Sequence, residues 1–83
     1  MRITLKLFAT LGPYLPQDRQ GNLVELEVAE GTTPAALIDR FRVPEEMVHL
    51  VLLNGVYLEK DQRSSHALKS GDTVAIWPPV AGG

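Results

Sequence analysis

With 83 residues, 45% of them apolar and 22% charged, the chain makes one small globular domain and leaves no room for a second. Its net charge of −2 comes from 10 acidic and 8 basic side chains spread along the sequence, so the basic patch of a nucleic-acid binder is excluded. No apolar run approaches the roughly 18 residues of a membrane span, and the absence of cysteine excludes disulfides, thiolate metal sites and a cysteine nucleophile.

Met1-Arg2-Ile3-Thr4-Leu5-Lys6 alternates like a strand and lacks a signal peptide's apolar core, which sets a cytoplasmic location as the expectation. Ile3, Leu5 and Leu7 against Arg2, Thr4 and Lys6 predict a strand over 2–8 with one buried face. Residues 9–22 carry Gly12-Pro13, Pro16 and Gly21 and read as a loop with room for one helical turn. A second strand over 23–28 turns Val24, Leu26 and Val28 inward, and the two strands form an antiparallel hairpin with a long connection. Gly31-Thr32-Thr33-Pro34 starts a helix: Thr33 can cap free backbone N–H groups, and Pro34 has no N–H to waste at the first position. Leu37, Ile38 and Phe41 share one face of that helix, opposite Asp39, Arg40 and Arg42. It should stop near 41–42, because Val43 precedes Pro44 and is pushed out of the helical region.

Pro44-Glu45-Glu46-Met47 can form a short turn with acids at its N-terminal end. Leu50-Val51-Leu52-Leu53 and Val56-Tyr57-Leu58 flank Asn54-Gly55, a pair that tolerates the positive φ of a type I′ hairpin turn. Residues 59–72 read as polar loop with Ala67-Leu68 as apolar anchor, and 73–77 form the last strand, with Val74 and Ile76 on one face. One helix has one apolar stripe and covers one sheet face, so β-β-α-β-β-β predicts a two-layer α+β domain, a mixed sheet of about five strands on one main helix. That is the β-grasp, or ubiquitin-like, layout.

Chemistry inside the domain is sparse. His49 and His66 lie in different elements without metal-ligand spacing and read as structural or solvent-exposed. Ser64, Ser65 and Ser70 lack a nucleophile-elbow pattern, and no phosphate-binding glycine motif occurs. The Glu25/Glu27 and Glu45-Glu46 pairs read as solvated surface or helix-start acids. By elimination, the reactive group is the α-carboxylate of Gly83, ionised at neutral pH. It ends an arm, Pro78-Pro79-Val80-Ala81-Gly82-Gly83, which divides the chain into a domain over 1–77 and a flexible tail over 78–83. Pro78 and Pro79 bias the arm's base toward an extended form, while Gly82 and Gly83 allow close backbone approach. Six residues at about 3.3–3.6 Å each reach roughly 20 Å.

Leu68-Lys69-Ser70-Gly71-Asp72-Thr73-Val74 and Trp77-Pro78-Pro79-Val80-Ala81-Gly82-Gly83 carry a resemblance that covers essentially the whole chain. The first resembles the L-x-x-G-D-x-V entry to the last strand, and the second the aromatic-P-P-V-x-G-G ending, of the small sulfur-carrier proteins of the MoaD/ThiS group. Lys6-Leu7-Phe8-Ala9 agrees with that group's first strand. The resemblance implies that an E1-like adenylating enzyme of the MoeB/ThiF type activates the Gly83 carboxylate with ATP. A sulfur donor then converts the acyl-adenylate to a thiocarboxylate. In the molybdopterin branch, the tail next enters the large subunit of molybdopterin synthase, so the chain donates sulfur without being catalytic alone or binding a cofactor. The resemblance puts Gly82 and Gly83 at the reacting end, with Pro78, Pro79, Val80 and Ala81 in the arm that meets the partner. Partners should dock on apolar surface near the last strand, where Trp77 is the candidate and a core position is the equal alternative; charge and hydropathy leave neither nucleic acid nor membrane among the partners.

The branch stays open on the residues themselves. The segment 42–49 is shorter than in typical molybdopterin-synthase small subunits, and Val48-His49-Leu50-Val51-Leu52-Leu53-Asn54-Gly55 looks more like ThiS, whereas the ending is closer to MoaD. The alternatives are a carrier for thiazole, cysteine or tRNA thiolation, a protein modifier joined to lysines through Gly83, and a β-grasp binding module with an inert tail.

Overall fold

The computed structural model describes residues 1–79, which form five strands and one α-helix in the expected order. Strands β1 (Arg2–Leu7) and β2 (Leu23–Glu27) pair antiparallel, with Leu5 opposite Val24. Successive side chains of a strand point to opposite faces, so Ile3, Leu5, Leu7, Val24 and Leu26 are buried together. Helix α1 (Pro34–Arg40) covers that face, and β3 (Leu50–Leu53), β4 (Val56–Tyr57) and β5 (Thr73–Trp77) complete the sheet. The sheet order is β2-β1-β5-β3-β4; β1 and β5 run parallel and every other pair antiparallel. This is the mixed α+β β-grasp sheet predicted above. Its one parallel pair joins the first strand to the last, so β2 and β3 are not neighbours and β5 lies between β1 and β3.

The core fills the space between sheet and helix. Val51, Val74, Ile76 and Leu37 are at most 1% exposed, and Leu11, Leu58 and Leu68 close the margins from the connections. Thr33 caps α1 as the sequence predicts, its Oγ1 accepting from the Ala36 N–H at 3.2 Å, with Pro34 in the first position. The helix stop is more specific than the Val43-Pro44 argument. Arg42 takes φ 57°, its N–H donates to Asp39 O at 3.1 Å, and the Val43 N–H donates to Ile38 O at 3.0 Å. These two bonds are a Schellman motif, with an arginine where glycine is usual.

Asn54 and Gly55 take φ 51° and 80°, as the type I′ hairpin requires. The turn is also tied to the chain ahead of β5. Asn54 Nδ2 donates to Asp72 Oδ1 at 2.9 Å, the Thr73 N–H donates to Asn54 Oδ1 at 2.8 Å, and the Lys69 N–H donates to Asp72 Oδ2 at 2.8 Å. The reading of 59–72 as polar loop needs correction. A 3₁₀ turn spans Lys60–Arg63, opened by a capping box between Glu59 and Gln62, and Arg63 is buried. Leu68 anchors the segment, whereas Ala67 is exposed.

Candidate functional site

The C-terminal end of β5 is fixed by its two neighbours. The Phe8 N–H donates to Ile76 O at 3.0 Å from the β1 side, and the His49 N–H donates to Trp77 O at 3.0 Å from the β3 side. Because β1 and β5 are parallel with Leu7 level with Ile76, Phe8 arrives beside Trp77. Their rings stack with centroids 4.1 Å apart and planes 3° from parallel. Such a pair contributes about 0.5–1.5 kcal/mol beyond the area it buries. Both rings are half-buried; next, Pro78 is buried and Pro79 exposed. Trp77 is therefore neither a core residue nor a free anchor, but one half of a platform at the root of the arm. Val80, Ala81, Gly82 and Gly83, which the sequence assigns to partner contact and reaction, lie outside the described residues.

The sheet face opposite α1 adjoins this platform. One row crosses all five strands: Leu23, Lys6, Ala75, Leu52 and Tyr57 stand in register from β2 to β4. Leu50, paired with Trp77, continues the apolar area toward the arm. Tyr57 is 51% exposed, and Leu50, Leu52 and Leu23 are half-buried. The far end of the same face is polar: Arg2 lies 3.9 Å from Glu25 and 3.7 Å from Glu27, all three exposed. Apolar surface thus gathers at the arm's end of the sheet and charge at the other, the pattern of an interaction patch with a polar margin.

Sequence reasoning named Trp77 but missed Phe8, Leu50, Leu52, Ala75 and Tyr57. A signal was present, since Leu50-Val51-Leu52-Leu53 is apolar at every position and so has no polar outer face. His49 and His66 are both exposed, as expected. The Ser64 and Ser65 hydroxyls donate to Asp61 O at 3.4 Å within their own turn. Among the described residues no cluster of three His, Asp or Glu is placed to hold a metal ion, and no helix is long and apolar enough to cross a membrane.

Comparison with known proteins adds to this geometry. The model of the ThiS family matches residues 6–83. No curated protein is matched by the chain. Among solved structures, the thiamine biosynthesis protein ThiS from Geobacter metallireducens is 23% identical, with 100% of each chain covered and a TM-score of 0.66. A putative molybdopterin converting factor, subunit 1, from Pyrococcus furiosus is 25% identical over 95% of this chain and 98% of that one, with a TM-score of 0.64. The protein–protein complex of subunits 1 and 2 of molybdopterin-converting factor from Helicobacter pylori 26695 contains a chain 18% identical, covered 100% each way, with a TM-score of 0.61.

Proposed function

The chain belongs to the ThiS family, the ubiquitin-like sulfur carriers of the MoaD/ThiS group that its sequence resembles, and we propose that it carries sulfur as a thiocarboxylate on Gly83. The observation that carries this reading is that the family match continues through residue 83, over the arm as well as the fold. The Gly83 carboxylate attacks the α-phosphorus of ATP held by an E1-like partner, and pyrophosphate leaves. The sulfur of a donor persulfide then attacks the acyl-adenylate carbonyl and AMP leaves. A thiol reductant attacks the donor's sulfur in the resulting acyl disulfide, which releases the thiocarboxylate on Gly83 and leaves donor and reductant joined as a disulfide. On this reading the carrier binds no cofactor itself, ATP belongs to the activating enzyme, and the cycle runs in the cytoplasm.

For the destination we favour molybdopterin synthesis, with this chain as the sulfur-donating small subunit of the synthase. The Trp77-Pro78-Pro79-Val80-Ala81-Gly82-Gly83 ending and the 25% identity to a converting-factor subunit 1 support it. The partner is then a large synthase subunit that takes in the arm while the apolar half of the outer sheet face, with Phe8 and Trp77, docks on it. A thiazole-pathway carrier is the second reading, favoured by the family's own name and by the likeness to the Geobacter protein.

The test is intact-mass spectrometry after incubation with ATP, an activating enzyme and a sulfur donor. Replacement of one oxygen by sulfur is the expected result, and a chain lacking Gly82-Gly83 should stay folded and unmodified. Sulfuration of that shortened chain, or lysine conjugates in place of a thiocarboxylate, would overturn the reading. Offering the thiocarboxylate to a molybdopterin synthase large subunit and to a thiazole synthase separates the two destinations.

A further inference from the structure

On the helix side of the molecule, away from the outer sheet face, a cleft of about 440 Å³ opens between α1 and the turns Glu45–Met47 and Lys60–Arg63. Ala35, Ile38, Val43 and Val48 give it apolar walls. Arg63 lies against them, only 8% exposed. Its Nη1 donates to Val48 O at 3.5 Å and its Nη2 to His49 O at 3.3 Å, both long for hydrogen bonds. Its Nε has no partner, and no carboxylate among the described residues lies within 4.0 Å of the guanidinium. A buried cation is costly unless an anion and full hydrogen bonding accompany it. Two long contacts to carbonyl oxygens do not supply that anion.

We propose that this cleft is a binding site for a small aliphatic monocarboxylate, its head group on Arg63 and its stem along Ala35, Ile38, Val43 and Val48. A guanidinium presents a planar fork of donors that matches a carboxylate. The rim selects against more highly charged anions. Glu45 and Asp39 border the opening, and Lys60, 3.7 Å from Glu45, is already paired. Two acids and two bases leave the lining neutral overall, so one negative charge is matched at Arg63 and a second meets the rim acids. The volume is within the range of small-molecule sites.

Titration of the full chain with hexanoate, followed by ¹H–¹⁵N NMR, tests the proposal. Saturable shifts are expected at the amides of Ile38, Val48 and Ser64 and at the Nε–H of Arg63. Hexanol should bind at least about tenfold more weakly, and inorganic phosphate should leave these signals in place. Ala35→Leu, which fills the cleft from a helix position that suits leucine, should abolish the hexanoate shifts. Equal responses to hexanol and hexanoate, shifts on the outer sheet face in their place, or an unmoved Arg63 Nε–H would overturn the site. Binding that appears only after residues 80–83 are removed would also overturn it, because the cleft would then belong to the chain's own arm. These comparisons on the natural side chains decide the matter whether or not the variant folds.

Discussion

Asp72 shows how one side chain can hold two distant turns. Its carboxylate accepts from the Asn54 amide and from the Lys69 backbone N–H, joining the β3–β4 turn to the entry of β5. Burial alone would raise its pKa. The bonds from Asn54 and Lys69, with the nearby Lys69 and His66 charges, outweigh burial and hold the group below the ordinary carboxylate value. A lowered folded-state pKa means stability that is present above the ordinary carboxylate range and is lost as pH falls through the lowered value. Asp72→Ala should therefore melt a few degrees lower at neutral pH, with the gap to the natural chain closing in strong acid; a gap constant with pH, measured by thermal melts, would show that the charge contributes nothing. The Asn54-Gly55 half of this clip is legible in sequence because few residue pairs accept two positive φ values. The Arg63 half of the neighbouring segment is not, because nothing local distinguishes a buried arginine from the solvated one that composition favours.

At the scale of elements, the start of α1 could be read directly, since Thr33 accepts from residues three and four positions away and Pro34, with no N–H, suits the first position. Its end could be read only in position. Pro44 explains why the helix does not continue past Val43, whereas the device that closes it is Arg42 in the left-handed region. A non-glycine residue there costs roughly 1–2 kcal/mol, part of which glycine returns as unfolded-state entropy. Arg42→Gly should accordingly stabilise the domain by about 0.5–1 kcal/mol, a rise in melting temperature of about 4–8 °C per kcal/mol for a domain of this size. An unchanged or lower melting temperature would mean that the Arg42 side chain contributes contacts worth as much as the strain. Strand faces follow the same division: β1 and β2 alternate cleanly, so their buried faces can be read from the sequence although each strand ends one residue sooner than the alternation predicts, while β3, apolar throughout, hides the difference between a core face and an exposed one.

At the scale of the molecule, topology decides where the arm can act. Element order predicted the β-grasp layers, but only non-local pairing places β5 between β1 and β3. A C-terminal edge strand would send the arm from the side of the sheet. A central one sends it from the middle, with Phe8 and Leu50 flanking Trp77 and the apolar row through Ala75, Leu52 and Tyr57 directly behind. On the reading proposed for this carrier, the same face must meet first the activating enzyme and then the acceptor, so one substitution should weaken both encounters. Leu52→Glu puts a charge at the centre of the row while leaving Val51 and Leu53 in the core. It should reduce affinity for both partners by about tenfold or more, with the melting temperature little changed. Arg40→Glu, exposed on the helix side, is the control and should leave both affinities within about twofold. If Leu52→Glu weakens neither partner, the docking face is elsewhere; if it weakens only one, the two encounters use different faces, and the arm alone is common to them.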